Sequence, residues 1–348
     1  MASTVRIAVL FGGRSTEHDV SCRSAAGVLQ HLDRTKYEVV PVRITADGVW
    51  VVGTDRRDGV IDVTALLAMT PPPEAPLSPV DSIFTAVAAL RDVEVVLPVL
   101  HGPYGEDGTV QGLLELAGIP YVGCGVLSSA LAMDKLLSQQ VLEAAGIPTI
   151  PSRGITAQNR DEALELSAEL EYPLFVKPNR AGSSVGASRV ETPDELLAAI
   201  DVALEHDKTA LVQMAIVGEE IDLGVLQAVD GTLGVGAPLR IRPTHSVFFD
   251  YEAKYTAGGA ELEVPAQIPD ALTAQLSEYA QLAFRALDCE GLARVDFFVG
   301  EDGAITLNEV NTLPGFTAFS QYPRMWQAVG VSYTELLTRL IDRAVAIH

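Results

Sequence analysis

Positive charge is scarce in this chain. Its 348 residues carry 46 acidic side chains against 24 lysines and arginines, a formal net charge of −22. That balance argues against a nucleic acid or an anionic membrane as partner, since both are bound by clustered cations. Only five lysines occur, Lys36, Lys135, Lys177, Lys208 and Lys254. An acidic protein that holds a polyanion must gather its few cations in one place. Cysteine is rare as well. Cys22, Cys124 and Cys289 form no CxxC pair and no even framework, which argues against a disulfide-stapled scaffold and fits buried thiols in a reducing cytoplasm. No apolar run reaches the length of a membrane span, and MASTVRIAVLFGG reads as entry into a strand rather than as a signal peptide. Charged low-complexity blocks are missing and the apolar share is high, which argues against a disordered chain. Neither GxGxxG nor GxxxxGK[ST] is present. The length predicts two or three domains.

What is present centres on residues 291–321, GLARVDFFVGEDGAITLNEVNTLPGFTAFSQ. Residues 292–299 alternate as a strand does, with Arg294, Asp296 and Phe298 on one face. Gly300-Glu301-Asp302-Gly303 is a turn signal, and 304–311 reads as the returning strand, with Glu309 and Asn311 sharing a face. A loop of even length puts Arg294, Asp296, Glu309 and Asn311 on the same side. Oxygen donors beside a guanidinium suit a Mg²⁺-nucleotide site, because Mg²⁺ prefers hard oxygen ligands and completes its shell from phosphate and water. The competing reading is a solvated hairpin with unrelated charges.

Taken in order, residues 5–11 form an apolar strand, then a Gly12-Gly13 turn and a helix through Leu32, the opening of a doubly wound α/β unit. Glu17 and His18 fall near that helix start, where Glu17 either meets a substrate ammonium or serves as an acidic first-turn residue. Strands follow at 37–44 and 49–52. The proline-rich stretch 70–79 reads as a surface loop. A helix is expected at 82–90 and a buried strand at 93–100, which delivers His101 between glycine-rich turns, while Asp107 is placed to cap the helix from Gly108. Residues 128–145 read as one helix carrying Met133-Asp134-Lys135 and stopped by Gly146-Ile147-Pro148.

The pattern resets after Pro151: helix 160–170, strand 174–177 ending on Lys177, then the glycine- and serine-rich loop 179–186. That loop is either a linker or a phosphate cover whose backbone N–H groups wrap oxygens. Strands 209–216 and 218–226 follow, and in the second Glu220 and Asp222 alternate with apolar residues, facing either a ribose or solvent. An aperiodic stretch carrying Tyr251, Lys254 and Tyr255 reads as a lid loop. Helix 269–287 leads into the hairpin. The last helix, 332–347, starts with a capping box, SYTE, and shows an apolar stripe of Leu336, Leu337, Leu340, Ile341 and Val345.

With these segments in order, the chain resembles the D-alanine–D-alanine ligases of the ATP-grasp superfamily over nearly its whole length. The carrying motifs are FGGRSTEHDVS, HGPYGEDGTVQG, MDK, VKPNRAGSSVG, FFDYEAKY, ARVDFF and NEVNTLPGFTAFSQYPRMW. The resemblance implies three α/β domains: a Rossmann-like parallel-sheet domain at 1–134, a central ATP-grasp subdomain at 135–217 and a C-terminal one at 218–348. ATP would lie between the last two. It implies that Lys135 and Lys177 hold the nucleotide phosphates, that Ser183, Ser184, Val185 and Gly186 form the cover loop, and that Glu220 meets the ribose. Gln213 and Ile216, in QMAI, fall at the adenine hinge, where many relatives carry a glutamate in place of Gln213. Asp296, Glu309 and Asn311 match ligands of two Mg²⁺ or Mn²⁺ ions.

By the same resemblance, Glu17 receives the ammonium of the first D-alanine, with His101 nearby, and Arg294 and the Gly315 N–H stabilise the tetrahedral intermediate. Ser320 binds the carboxylate of the second substrate, and Gln321 follows where some relatives are apolar. Lys254 and Tyr255 form a lid pair, with Tyr255 joining Glu17 and Ser183. The implied activity is ATP-dependent formation of D-alanyl-D-alanine through D-alanyl phosphate for peptidoglycan precursors, in a cytoplasmic homodimer. Ligases making D-alanyl-D-lactate or D-alanyl-D-serine, and a catalytically silent nucleotide-binding regulator, are the alternatives.

Overall fold

The structure is a computed structural model that describes residues 4–54, 66, 68–70, 78–182, 185–243 and 260–347. Past Arg6, the first strand has no polar side chain, and such a strand is stable only with both faces covered. β1 (Val5–Gly12) pairs in parallel with β2 (Tyr37–Ile44) and β4 (Val95–Leu100), and β3 (Trp50–Val52) lies antiparallel on β2, giving the order β3-β2-β1-β4. Period-2 alternation assigns the two faces. Ile7, Val9 and Phe11 pack with the helices His18–His31 and Tyr333–Ile347, while Ala8 and Leu10 pack toward Pro79–Leu90 and Thr109–Ala117. β1 ends at Gly12 with φ +91°, where a Cβ would lie 2.1 Å from the Ile44 carbonyl oxygen, so only glycine permits the turn that brings Glu17 to the carboxyl end of the sheet.

The second sheet is antiparallel, in the order β5 (Ser152–Thr156), β8 (Thr209–Met214), β6 (Leu174–Pro178), β7 (Ser188–Val190). Leu174, Val176 and Val212 meet Leu196, Ile200 and Ala203 of the helix Pro193–Leu204. The opposite alternation turns Phe175, Lys177 and Gln213 toward a cleft. The third sheet, also antiparallel, runs β12 (Ala260–Glu263), β11 (Leu239–Pro243), β9 (Glu219–Gln227), β13 (Leu292–Val299), β14 (Ile305–Asn311), with β10 (Leu233–Val235) on β9. The helix Asp270–Ala286 covers its apolar face through Leu276, Ala280, Ala283 and Phe284.

Four expectations are corrected. The helix read at 128–145 is two, Val126–Met133 and Lys135–Ala144, broken at Asp134. Asp134 is extended (φ −85°, ψ 93°) and its carboxylate accepts the Leu137 N–H at 3.1 Å, because a short acidic side chain competes better as a cap than as a helix interior residue. The helix read at 160–170 is a 3₁₀ turn, Arg160–Glu162, and one helical turn, Ala163–Leu166, after which the Ser167 hydroxyl bonds the Ala163 carbonyl. On the last helix Val345 is exposed and Ala344 takes the buried position. The cap read at Asp107 belongs to Gly108, with the Asp107 carboxylate accepting the Thr109 N–H at 3.0 Å. All three cysteines are buried and free.

Candidate active site

Face sharing on the β13–β14 hairpin is obtained by an unexpected route. Val299 pairs with Ile305, so the loop between them has the odd length of five residues, 300–304, and Phe297 pairs with Leu307. Continued unbroken, that register would set Asp296 opposite Asn308 and turn Glu309 to the other face. A bulge after Asp296 takes up Asn308 as the extra residue, and beyond it Asp296 pairs with Glu309 and Arg294 with Asn311. One inserted residue thus restores the parity that the site requires.

β9 extends this polar face from the other side. Asp222 lies opposite Asp296, which gives a row of carboxylates, Asp222, Asp296 and Glu309, across three adjacent strands. Carboxylate oxygens of Glu220, Asp222 and Asp296 lie within 4.8 Å of one another. Arg294 Nε and Nη2 donate to the two oxygens of Asp296, each at 2.7 Å, and Asn311 Nδ2 donates to Asp296 Oδ2 at 2.8 Å. Arg294 Nε is 3.6 Å from Asp222 Oδ2. Burial alone would lower the Arg294 pKa, but the charge and hydrogen bonds of Asp296, with Asp222 and Glu309 beyond, outweigh it and move it up. Lys135 joins this cluster, its Nζ 3.6 Å from Glu309 Oε2, and Glu220, Asp222, Asp296 and Glu309 bring four carboxylates to it. Such a cluster of hard oxygen donors suits a small divalent cation.

Opposite the hairpin, across a cleft of about 1500 Å³, lie the residues of the second sheet. Lys135 begins its helix just past the Asp134 break. Its Nζ donates to the Ala181 carbonyl at 2.9 Å, which ties it to the loop after β6. Asp134 fixes that loop further, accepting from Asn179 Nδ2 at 2.7 Å and Arg180 Nε at 2.8 Å. Burial pushes the Asp134 carboxyl up, yet these donors prevail and it lies below its ordinary pKa. Lys177, Val185, Ile216 and Glu220 line the cleft with Phe175, Met214 and Phe298. Gly186 stands just behind Val185 with φ +70°. Gln213 is buried, lines the same cleft, and its Oε1 has no hydrogen-bond partner among the described residues. An orphaned acceptor among apolar side chains fits the exocyclic amine of an adenine.

The far end of the cleft is polar. Glu17 occupies the cap position of His18–His31, but its carboxylate makes no capping bond and faces the cleft. A Cβ on Gly102 or on Gly182 would come within 3.2 Å of its Oε2, so both glycines leave it room. His101 lies at the end of β4, with Nδ1 3.2 Å from the Leu313 carbonyl, Nε2 3.4 Å from Ser24 Oγ, and Glu106 Oε1 at 3.9 Å from Nδ1. Burial disfavours its charged form, while Glu106 and Glu17 favour it more strongly and raise its pKa. Ser320 caps the helix Gln321–Ala328 by position without a side-chain capping bond; its Oγ accepts the Thr317 N–H at 3.0 Å and lies beside Gly315. Gln321 Nε2 donates to Asp222 Oδ2 at 2.8 Å. Ser183, Ser184, Lys254 and Tyr255 lie outside the described residues.

Family models agree with this arrangement over most of the chain: residues 6–124 match "D-ala D-ala ligase N-terminus" and residues 141–342 match "D-ala D-ala ligase C-terminus". The chain belongs to the D-alanine–D-alanine ligase family. Curated D-alanine–D-alanine ligases from Mycolicibacterium vanbaalenii and Nocardia farcinica are each 46% identical to it, covering 99% of this chain and 98% of the relative. Among solved structures, the VanG D-Ala:D-Ser ligase from Enterococcus faecalis superimposes with a TM-score of 0.85 at 40% identity, over 98% of this chain and 100% of that one. The D-alanine–D-alanine ligase from Coxiella burnetii gives 0.83 at 31% identity, over 100% and 95%. These ligases share the ATP-grasp architecture.

Two residues of this ligase site were not singled out from the sequence. Asp134 was hidden inside an apparently continuous helix, although the polar pair Asp134-Lys135 after Met133 marks the break. In the sequence Asp222 suits a ribose or solvent equally. Its alternation with Ile221 and Leu223 places it on a face, but only pairing with β11 and β13 buries it.

Proposed function

We propose that the chain condenses two molecules of D-alanine into D-alanyl-D-alanine, consuming ATP and releasing ADP and phosphate, for peptidoglycan precursor synthesis. The observation that carries this reading is one cleft that gathers Lys135, Lys177 and the orphaned Gln213 Oε1 on one wall and Arg294, Glu309 and Asn311 on the other, with Asp296 bonded to Arg294 and Asn311 just beneath. ATP spans these walls, its adenine against Gln213 and Ile216 and its ribose near Glu220. Lys135 and Lys177 offset the phosphate charge, and the 183–186 segment, with Val185 and Gly186 at its described end, covers the phosphates. Asp296, Glu309 and Asn311 would hold two Mg²⁺ or Mn²⁺ ions, which when bound neutralise phosphate charge and orient the γ-phosphate.

In the first step a D-alanine carboxylate oxygen attacks the γ-phosphorus, the bond to the β,γ-bridging oxygen breaks, and ADP leaves. Glu17 holds the ammonium of that D-alanine and keeps its carboxylate aimed, with His101 behind it. In the second step the amine of another D-alanine, after losing a proton, attacks the acyl carbon. The tetrahedral oxyanion is met by Arg294 and the Gly315 N–H, donors of a kind worth about 3–4 kcal/mol each, and its collapse expels phosphate. Ser320, at a helix N-terminus, binds the second carboxylate beside Gln321. Lys254 and Tyr255 close over the site with Glu17 and Ser183, which keeps water from the acyl phosphate.

Domain boundaries near 134 and 217 accord with sheets at 5–100, 152–214 and 219–311. A homodimer through the first domain is in keeping with Val80 and Phe84, one turn apart on Pro79–Leu90 and 61% and 71% exposed. A cytoplasmic setting agrees with three free cysteines.

Purified protein given Mg²⁺, ATP and D-alanine should release phosphate stoichiometrically with D-alanyl-D-alanine, read by mass spectrometry. Lys177→Ala should lower kcat/KM for ATP by about 100-fold. Absence of phosphate release would replace this reading with a nucleotide-binding regulator. D-alanyl-D-lactate or D-alanyl-D-serine as the main product in competition would move it to a sister ligase.

A further inference from the structure

Asp222 is the one member of the carboxylate row to which the reaction above gives no work. It is completely buried, in mid-strand on β9, directly opposite Asp296. Two carboxylates facing each other across a sheet repel, and burying either costs free energy unless it is paired. Asp222 is paired with two groups on different elements. Its Oδ2 accepts from Gln321 Nε2 at 2.8 Å and lies 3.6 Å from Arg294 Nε. Arg294 belongs to β13, while Gln321 opens the helix whose cap position is Ser320.

A chain of contacts runs on from there. Fixing Gln321 fixes its neighbour Ser320, whose hydroxyl accepts the Thr317 N–H at 3.0 Å and sits where a Cβ on Gly315 would approach to 2.9 Å. We infer that Asp222 is a positioning residue for the second half-reaction, its carboxylate registering the Arg294 guanidinium with the Gln321–Ser320 turn so that the oxyanion donors and the pocket for the second amino acid form one rigid set. The inference rests on the proposed roles of Arg294, Gly315 and Ser320. It gives Gln321 a reason in this chain: an apolar side chain there would remove the 2.8 Å hydrogen bond from Gln321 Nε2 to the Asp222 carboxylate.

Asp222 faces Asp296, a proposed cation ligand of the first half-reaction, but its contacts with Gln321 and Arg294 lead to the groups placed in the second, so a positioning role predicts that the second half suffers far more than the first. In rapid-quench single turnovers with saturating Mg²⁺ and ATP, Asp222→Asn should form ADP within about threefold of the unaltered enzyme. Its dipeptide should appear at least about tenfold more slowly, so that ADP runs ahead of product. Gln321→Leu, which attacks the same bond from its more accessible end, should show the same split and raise KM for the second D-alanine. The double variant should be no worse than the poorer single one.

Equal slowing of ADP and dipeptide in both variants, or no slowing in either, overturns the inference. A tenfold rise in the Mg²⁺ needed for ADP formation by Asp222→Asn also overturns it, because Asp222 would then be a cation ligand. If Asp222→Asn does not fold, Gln321→Leu decides alone. The unaltered protein serves as the control for the underlying reading: if it makes no D-alanyl-D-alanine in the same quench, that reading fails, whatever the variants do.

Discussion

Gly315 is a glycine because of the hydroxyl next to it. A Cβ there would meet Ser320 Oγ at 2.9 Å, closer than such contacts allow, and that hydroxyl is already engaged by the Thr317 N–H and lies 2.8 Å from Thr317 Oγ1. Gly315→Ala should therefore leave the fold intact, displace Ser320 and raise KM for the second D-alanine about tenfold, with the first-site KM little changed. Steady-state kinetics that resolve the two sites check it; equal KM values in variant and parent would remove Ser320 from the carboxylate role. Much at this scale was legible in the chain itself. Lys177 at the end of an alternating strand and Gln213 in QMAI both face the cleft, because period-2 alternation fixes the face once one neighbour is buried. Asp222 was not legible. Its burial comes from β11 and β13 on either side, and no local pattern announces which strands will flank a given one.

At the scale of elements, the hairpin and the helix break teach opposite lessons. The strands around Arg294 and Glu309 follow from alternation, yet their common face depends on a bulge at Asn308, and a bulge has no signature in polar–apolar periodicity. The break at Asp134 does have one, an acid followed by lysine, but the helical period on both sides masks it. β11 and β12 supply a measurable consequence. Glu263 Oε1 accepts the Gln267 N–H at 2.9 Å, and its Oε2 accepts from Arg242 Nη2 and Arg240 Nη1, each also at 2.9 Å. First the backbone hydrogen bond and then the arginines pull its pKa from 4.5 to about 2. A folded-state pKa below the unfolded one contributes stability that is complete above pH 4.5 and disappears as pH falls toward 2. Glu263→Gln should melt below the parent at pH 6, and the gap should close through that acid window. A gap in Tm that stays constant from pH 6 to about 2.5, followed by circular dichroism, would mean that packing rather than charge links these strands.

For the molecule as a whole, the sheets divide the chain into three but the cores do not. The last helix, Tyr333–Ile347, buries Leu336, Leu337, Leu340 and Ile341 against Ile7, Val9 and Phe11 of β1, in a cluster that also contains Phe316, Tyr322 and Trp326. The last helix therefore completes the first core, and the turn proposed to hold the second substrate, between Phe316 and Tyr322, is anchored in it. Folding of the N-terminal sheet and formation of the acceptor pocket should be one event. Leu337 tests this, being fully buried and given no part in the reaction. Leu337→Ala removes buried methyl groups and leaves a cavity, a change that costs about 2–5 kcal/mol. Under increasing urea the variant should lose D-alanyl-D-alanine formation and far-UV circular dichroism together, both at a midpoint lower than the parent's. If the pocket belonged to a separately folding unit, activity would persist to the parental midpoint while the dichroism signal fell early. Coincident curves would show that the helix closing the chain holds the site at its far end.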